Sequence, residues 1–539
     1  MSSDVDAIVV GAGPNGLVAA NVLADAGWSV EVLEAQREPG GAVRSGELTL
    51  PGFIHDRFSS FYPLGLASPA MQAMDLEDHG VRWRKAEVPV AHPAADGTVA
   101  YVAADVEETA ASLESFAPGD GDGWRGLYGL WERMGDELLD ALFTPFPPVR
   151  AAARLARALG PRGLLEFSRF GVLPVRRLGE EWFSGDGGPR LIAGNALHAD
   201  FSPEQPGGGV YGWVLVGMAQ QLGFPVPEGG SGQLTAALVR RLEGRGGTIT
   251  CGARVADVVV SRGRASGVRT DDGRELRAAR AVLADVSAPA LYLNMLDRRH
   301  VPDRVLGAMR RFEFGNSTFK VDWALDGPVP WLAEDTARAG TVHIGDDVDA
   351  LTRASTQLVL REVPAAPFLV CGQYARTDPT RQPPGKETFW SYTHVPQKVA
   401  GDAGPDGLTG RWDEREREAL ADRIAEQIER VAPGFTGRVL ARAITAPADF
   451  EAQDENLAGG ALNGGTAQLH QQLVFRPIPG LGRSETPVPG LYLASASAHP
   501  GGGVHGVCGM NAARAALRER GPARRVTGRV TAAVAGRHF

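Results

Sequence analysis

Glu34 stands 18 residues beyond the last glycine of Gly11-Ala12-Gly13-Pro14-Asn15-Gly16. A carboxylate at that distance can accept hydrogen bonds from ribose hydroxyls, and it repels a 2′-phosphate. The glycines can bring free N–H groups against a pyrophosphate: Gly11 for a tight turn, Gly13 for close approach, Gly16 for close packing of the next helix. Pro14, Asn15 and Ala35 complete the expected contacts. The chemistry is dinucleotide binding, with FAD or NAD favoured over NADP. Elsewhere, reactive side chains are few. Lys320 lies in the alternating run Asn316 to Leu325. If buried, its amine could place a water or move a proton; on a half-exposed strand it is a surface lysine. His499 and His505 flank Gly501-Gly502-Gly503, where an imidazole can act as acid, base or donor near neutral pH, or simply cap backbone groups. Cys508 follows closely. His55 and Asp56 are expected to order the cofactor rather than react.

The elements that must position these groups are legible. Val5-Asp6-Ala7-Ile8-Val9-Val10 suits a buried parallel strand. Leu17, Val18, Ala20, Asn21 and Leu23 have helical spacing, and Gly27 ends that helix. A second strand, Val30 to Glu34, follows. A pyrophosphate would sit on the helix N-terminus, where the dipole is positive. Near the far end, Gly490 to Ala496 reads as a strand leading into the glycine-rich loop and the helix around Gly509, Met510 and Asn511.

Two further stretches carry a resemblance. Pro39-Gly40-Gly41-Ala42-Val43-Arg44 resembles the second motif of the flavoproteins that include amine oxidases and phytoene desaturases. There a glycine pair meets the FAD pyrophosphate and ribitol, and an arginine directly after it contacts phosphate. Here that position is Ala42, and Arg44 comes two residues later. Ala498-His499-Pro500-Gly501-Gly502-Gly503 with Gly509-Met510-Asn511 resembles the C-terminal flavin motif of the phytoene-desaturase-like family. In that motif a loop passes the isoalloxazine and a helix N-terminus faces its pyrimidine edge. Pro51-Gly52-Phe53-Ile54-His55-Asp56, Asn456-Leu457 and Arg476-Pro477 add similarity to the branch typified by pyridine nucleotide-disulphide oxidoreductase domain-containing protein 2. A disulphide reductase needs a redox Cys pair, however, and Cys251, Cys371 and Cys508 have no such spacing.

The resemblance implies noncovalent FAD held by Gly11, Gly13, Pro14, Asn15, Gly16, Glu34, Ala35, Gly40, Gly41, Arg44, Val255, Gly502, Gly503, Gly509, Met510 and Asn511. Val255 would meet adenine through its backbone. It also implies catalytic candidates in Lys320, through likeness to the amine-oxidase lysine that holds a water beside flavin N5, and in His499. The fold class expected is α/β: a Rossmann-like FAD-binding domain from 1–70, 227–290 and 486–520, and a discontinuous α+β substrate domain from 71–226 and 291–485. A basic tail follows at 521–539. The glycines at 229–232 lack a preceding strand and a following acid, so a second nucleotide site is not expected.

Composition bounds the function. The chain has 539 residues, 43% hydrophobic and 22% charged, with a net charge of −9. That balance fits a globular protein with a large core and argues against nucleic acid as a partner. Three cysteines suggest a reducing compartment. With no leader and no apolar run near the ~20 residues needed to span a bilayer, a cytoplasmic protein is expected, peripheral to a membrane at most. The contact would come from the basic, Leu- and Phe-rich segment 150–177. The expected activity is transfer of a hydride or two electrons between flavin and an apolar or amphipathic substrate. The alternatives are a flavin amine oxidase, or a non-catalytic binding module like the GDP-dissociation inhibitors of the same fold.

Overall fold

The computed structural model describes residues 5–519, so the tail at 521–539 lies outside it. Two seven-stranded sheets organise the chain. In the first, Val5–Val10 is central, with Val30–Glu34 and Glu275–Ala284 parallel on either side. Thr248–Cys251 continues beyond Val30–Glu34, and Leu491–Leu493 pairs with the end of Glu275–Ala284. The sheet therefore collects strands from three separated parts of the chain. Alternation along Val5–Val10 divides two cores. Ala7 and Val9 pack with the helix Pro14–Asp25, while Ile8 and Val10 pack with Leu33 and Val282. Both faces are covered, which is why the strand reads as a continuous apolar run.

Register brings four strand ends level: Val10 faces Leu33 and Ala284, and Ala284 faces Leu493. The crevice beyond such carboxyl ends is where open α/β sheets bind ligands. The helix Pro14–Asp25 starts there, with Pro14 at a position that needs no N–H donor. It stops at Gly27, which takes φ +78° while its N–H bonds to the Ala24 carbonyl.

The second sheet runs in the order Val439–Thr445, Ser317–Leu325, Glu387–Val395, Leu369–Gln373, Ala339–Ile344, Val88–Pro93 and Val99–Val102. One face carries Phe319, Val321, Trp323 and Phe389, packed with Leu420, Ile424 and Ile428 of the helix Glu414–Val431. Alternation places Thr318, Lys320, Asp322, Trp390, Tyr392 and His394 on the other face. All nine residues of Ser317–Leu325 are buried. Lys320 is therefore an interior lysine, because its strand is central and both faces are covered.

The C-terminal helix Val507–Arg518 packs closely against Pro14–Asp25, backbone to backbone at Gly509. A Cβ added to Gly509 would lie 1.8 Å from the Asn15 carbonyl oxygen. Gly509→Ala should therefore lower the unfolding free energy by about 1–3 kcal/mol, the cost of an overpacked core position. An unchanged urea midpoint would show that these helices can part freely.

Candidate functional site

The dinucleotide turn is held by carboxylates as well as by glycines. Glu34 ends its strand and accepts the Ala12 N–H at 2.7 Å and the Gln36 N–H at 2.8 Å. Two lone-pair positions remain for ribose hydroxyls. Asp285, just past Glu275–Ala284, accepts the Gly16 N–H at 2.8 Å. Gly11 has φ +96°, which favours glycine whatever the space. The other two glycines are also constrained by protein neighbours. A Cβ on residue 13 would come 2.9 Å from the Asp285 carboxylate, and one on residue 16 would come 2.1 Å from the Gly11 carbonyl oxygen.

The glycine pair closes over this turn. Gly40 donates to the Ala12 carbonyl at 2.8 Å, and a Cβ on Gly41 would meet the Gly13 Cα at 3.0 Å. Arg44 is buried, but its guanidinium is engaged with the carbonyls of Gly41 and Gln453 and with Glu38, and lies over Phe58. It braces the glycine turn. Ala35 is exposed. Val255 is buried at the start of its strand, and the segment before it is tied to the end of Val30–Glu34 by Ala253 N–H to the Glu34 carbonyl, 2.8 Å.

The C-terminal loop reaches the same turn from the opposite side. Gly506 takes φ +68° to start the helix Val507–Arg518. His505 caps that helix: its Nδ1 accepts the Val507 N–H at 3.0 Å, and its Nε2 faces the Gly501 carbonyl at 3.2 Å. Burial lowers its pKa to about 4, so the ring is neutral. His499 bonds through Nε2 to the Thr144 carbonyl at 3.0 Å, and burial lowers its pKa too. Burial raises the Cys508 thiol to about 12, which removes it as a nucleophile near neutrality. Gly502 packs on Asn463, and Gly503 takes φ +106° beside Leu64. Met510 and Asn511 are buried.

Beneath the loop lies Arg476, fully buried and bonded only to the carbonyls of Ala496, Thr466, Asn463 and Gly465. Burial lowers its pKa to about 10.

Lys320 lies at the junction of the two sheets. Its Nζ donates to the Asp56 carbonyl at 3.0 Å and pairs with Asp322. His55 Nδ1 lies 3.3 Å from the same Asp322 oxygen. Burial pushes the Asp322 carboxyl up, but Lys320 and His55 outweigh it and hold it below its usual range. Asp56 is equally engaged. It accepts the Ser231 N–H at 2.7 Å, Arg381 at 2.6 Å and the Tyr374 hydroxyl at 3.0 Å. Asp378 holds Arg381 and the Gly229 N–H. The glycines at 229–232 are thus clamped by these carboxylates. Sequence reasoning missed Asp285, Asp454, Asp378 and Arg381, because no local spacing marks a residue whose partners lie far along the chain.

Two buried amide oxygens, Oδ1 of Asn15 and of Asn511, have no protein partner. They belong to the two helix starts that meet at Gly509. Each is an acceptor, so it fits a ligand that brings hydroxyl or N–H donors to the glycine cradle, as a flavin dinucleotide can.

The family model described as "Flavin containing amine oxidoreductase" matches residues 15–517. The chain belongs to that family. Rat pyridine nucleotide-disulfide oxidoreductase domain-containing protein 2 is 28% identical, over 96% of this chain and 94% of that protein. A neurosporene-forming phytoene desaturase from Cereibacter sphaeroides is 25% identical, over 97% and 96%. Putrescine oxidase bound to putrescine has the same fold, with a TM-score of 0.60 and 16% identity, over 96% of this chain and 99% of that one. This flavin oxidoreductase uses FAD. The cofactor, when bound, supplies the hydride and electron chemistry. The chain's part is to hold it, exclude water and place donors.

Two predictions test this site. Gly13→Val would drive a branched side chain into Asp285, and the purified protein should be colourless; full retention of flavin absorbance would contradict the assignment. Lys320→Met should keep FAD bound, slow flavin reduction or reoxidation, and cost about 3–5 kcal/mol of stability by leaving Asp322 unpaired. Asp322→Asn in the same chain should recover most of the stability but not the rate. Unchanged rates in both half-reactions would make Lys320 purely structural.

Proposed function

We propose that the FAD of this protein exchanges a hydride, or two electrons, with an apolar or amphipathic organic substrate lying against the inward face of the second sheet. The supporting observation is a cavity of about 690 Å³ whose lining mixes the apolar Leu197, Phe312, Phe314 and Leu358 with many polar and charged groups, Asp200, Glu313, Arg361 and His394 among them. His394 Nε2 lies 3.4 Å from an Asp200 oxygen, and neither ring nitrogen has a hydrogen-bond partner. Tyr392 stacks edge-on to His394 at 5.6 Å and lies directly opposite Lys320 across the ladder. Tyr392 thus adjoins both Lys320 and His394 of the cavity lining. A mixed apolar and polar lining suits a substrate with a long hydrocarbon part, and the phytoene desaturase relative acts, by its name, on such a molecule.

In this reading Lys320 holds a water or moves a proton beside the flavin. His394, oriented by Asp200, meets the substrate. His499, neutral and bonded to Thr144, positions the glycine loop rather than transferring protons.

A membrane surface is the proposed source of substrate. The helix Val149–Phe170 exposes Leu164 and Leu165, and Val172 follows it. Leu469, Leu473 and Phe475 are exposed nearby, Val172 and Leu469 both adjoining Gly207. The cationic face expected of 150–177 is largely neutralised. Arg154 pairs with Glu137 and Asp140, Arg162 with Glu166, Arg169 with Glu181, Arg176 with Glu204 and Asp349, and Arg177 with Glu180 and Glu181. Most of those acids lie outside the segment, so a local count of charges could not reveal them. Contact would be apolar and would resist salt. Among the described residues no helix is long and apolar enough to cross a membrane.

The test is anaerobic mixing of the yellow holoprotein with polyenes, terpenes and long-chain amines, followed by its blue absorbance. Bleaching by a polyene or terpene, slowed at least tenfold in His394→Gln with FAD content unchanged, is expected. Bleaching by amines alone would assign the protein to amine oxidation instead.

A further inference from the structure

The FAD site contains a charge problem. Oxidised FAD brings a pyrophosphate with two negative charges, yet the turn that receives it is surrounded by carboxyl groups. Asp285 lies beneath residues 13 and 16, bonded to the Gly16 N–H that a helix N-terminus would otherwise offer to an anion. Asp454 lies on the other side, its Oδ2 3.2 Å from where a Cβ on Gly41 would stand. Its Oδ1 accepts the Asn456 N–H at 3.0 Å, and Asn456 in turn donates to the Asp285 carbonyl at 2.9 Å. The two acids come from positions 169 residues apart and are joined through one asparagine. Glu34 is the third acid. Asn15 Oδ1, buried in the same turn, is an acceptor with no protein donor.

We propose that Asp285 and Asp454 are FAD-binding residues that carry protons when the cofactor is in place. As neutral acids they can donate hydrogen bonds where carboxylates would repel the phosphates.

The surroundings favour this form. Asp285 faces Glu34, Asp454 and the Cys508 thiol, with no cation against it. Asp454 faces Glu34 and one cation, Arg44, which Glu38 also engages. Before any phosphate is added, burial raises Asp285 to about 8 and Asp454 to about 6. A dianion in the same turn raises both further, so binding takes up protons.

The sign follows. A group whose pKa is higher in the FAD-bound state strengthens binding below its free pKa and loses that contribution as pH rises towards the bound pKa. Asp454 should act above about pH 6 and Asp285 above about pH 8.

The test uses the yellow holoprotein, diluted at pH 6 to 9, with released FAD read by its fluorescence. The dissociation constant of wild type should rise up to tenfold per pH unit from pH 6 to 8, and more steeply above 8. Asp454→Asn should be flat to pH 8, Asp285→Asn should lack the steeper limb, and the double variant should be flat. At pH 9 Asp285→Asn should hold FAD more tightly than wild type. A pH-independent constant in wild type would overturn the proposal, as would equal loss of FAD from both variants at every pH. Proton release by wild type on FAD dissociation, read with an indicator dye in weak buffer at pH 7.5, needs no variant; none released is also contrary.

Discussion

Three parts of the chain must come within backbone contact at one turn, and the rest of the molecule is arranged so that they can. Residue 41 stands against the Cα of Gly13, and residue 509 stands against the Asn15 carbonyl. At residue 509 no Cβ fits, and at residue 41 one would press on the Gly13 backbone, which must give to admit it. The register that levels Val10, Leu33, Ala284 and Leu493 sets where those contacts fall. The glycines are thus consequences of topology as much as of the cofactor.

Charge is managed in two ways around this turn. At the sheet junction, fully buried ions are paired: Lys320 with Asp322, and Arg381 with Asp56 and Asp378. Such pairs add little net stability, because desolvation offsets the attraction, but losing one member is costly. They fix how the second sheet meets the first. Beside the C-terminal loop, Arg476 has carbonyl partners only and keeps its positive charge uncompensated. A cation thus lies beneath the C-terminal glycine loop, while the acids Glu34, Asp285 and Asp454 lie around the N-terminal turn.

The parts of this account legible in the sequence are those with local causes. The strand-turn-helix-strand order from Val5 to Glu34 and the helix around Gly509 follow from periodicity and turn residues within a few positions. Family motifs added FAD. Other features were not legible because their causes are distant. Glu38 and the Gln453 carbonyl hold Arg44 as a brace of the glycine turn. The pairing of the 150–177 arginines depends on acids such as Glu137, Glu204 and Asp349. The approach of His394 to Asp200 joins positions 194 residues apart, which no local spacing marks. Lys320 was singled out by alternation, but Asp322, two residues on and on the same face, was not weighed as its counter-ion.

The central claim is that one FAD ties the three chain segments together. Hydrogen–deuterium exchange of the holoprotein against protein stripped of FAD tests this most directly. The account predicts that removing FAD speeds exchange jointly at residues 11–17, 39–45 and 499–512, with the helix Glu414–Val431 unchanged. Faster exchange at only one of the three segments, or uniform loosening of both sheets, would contradict it.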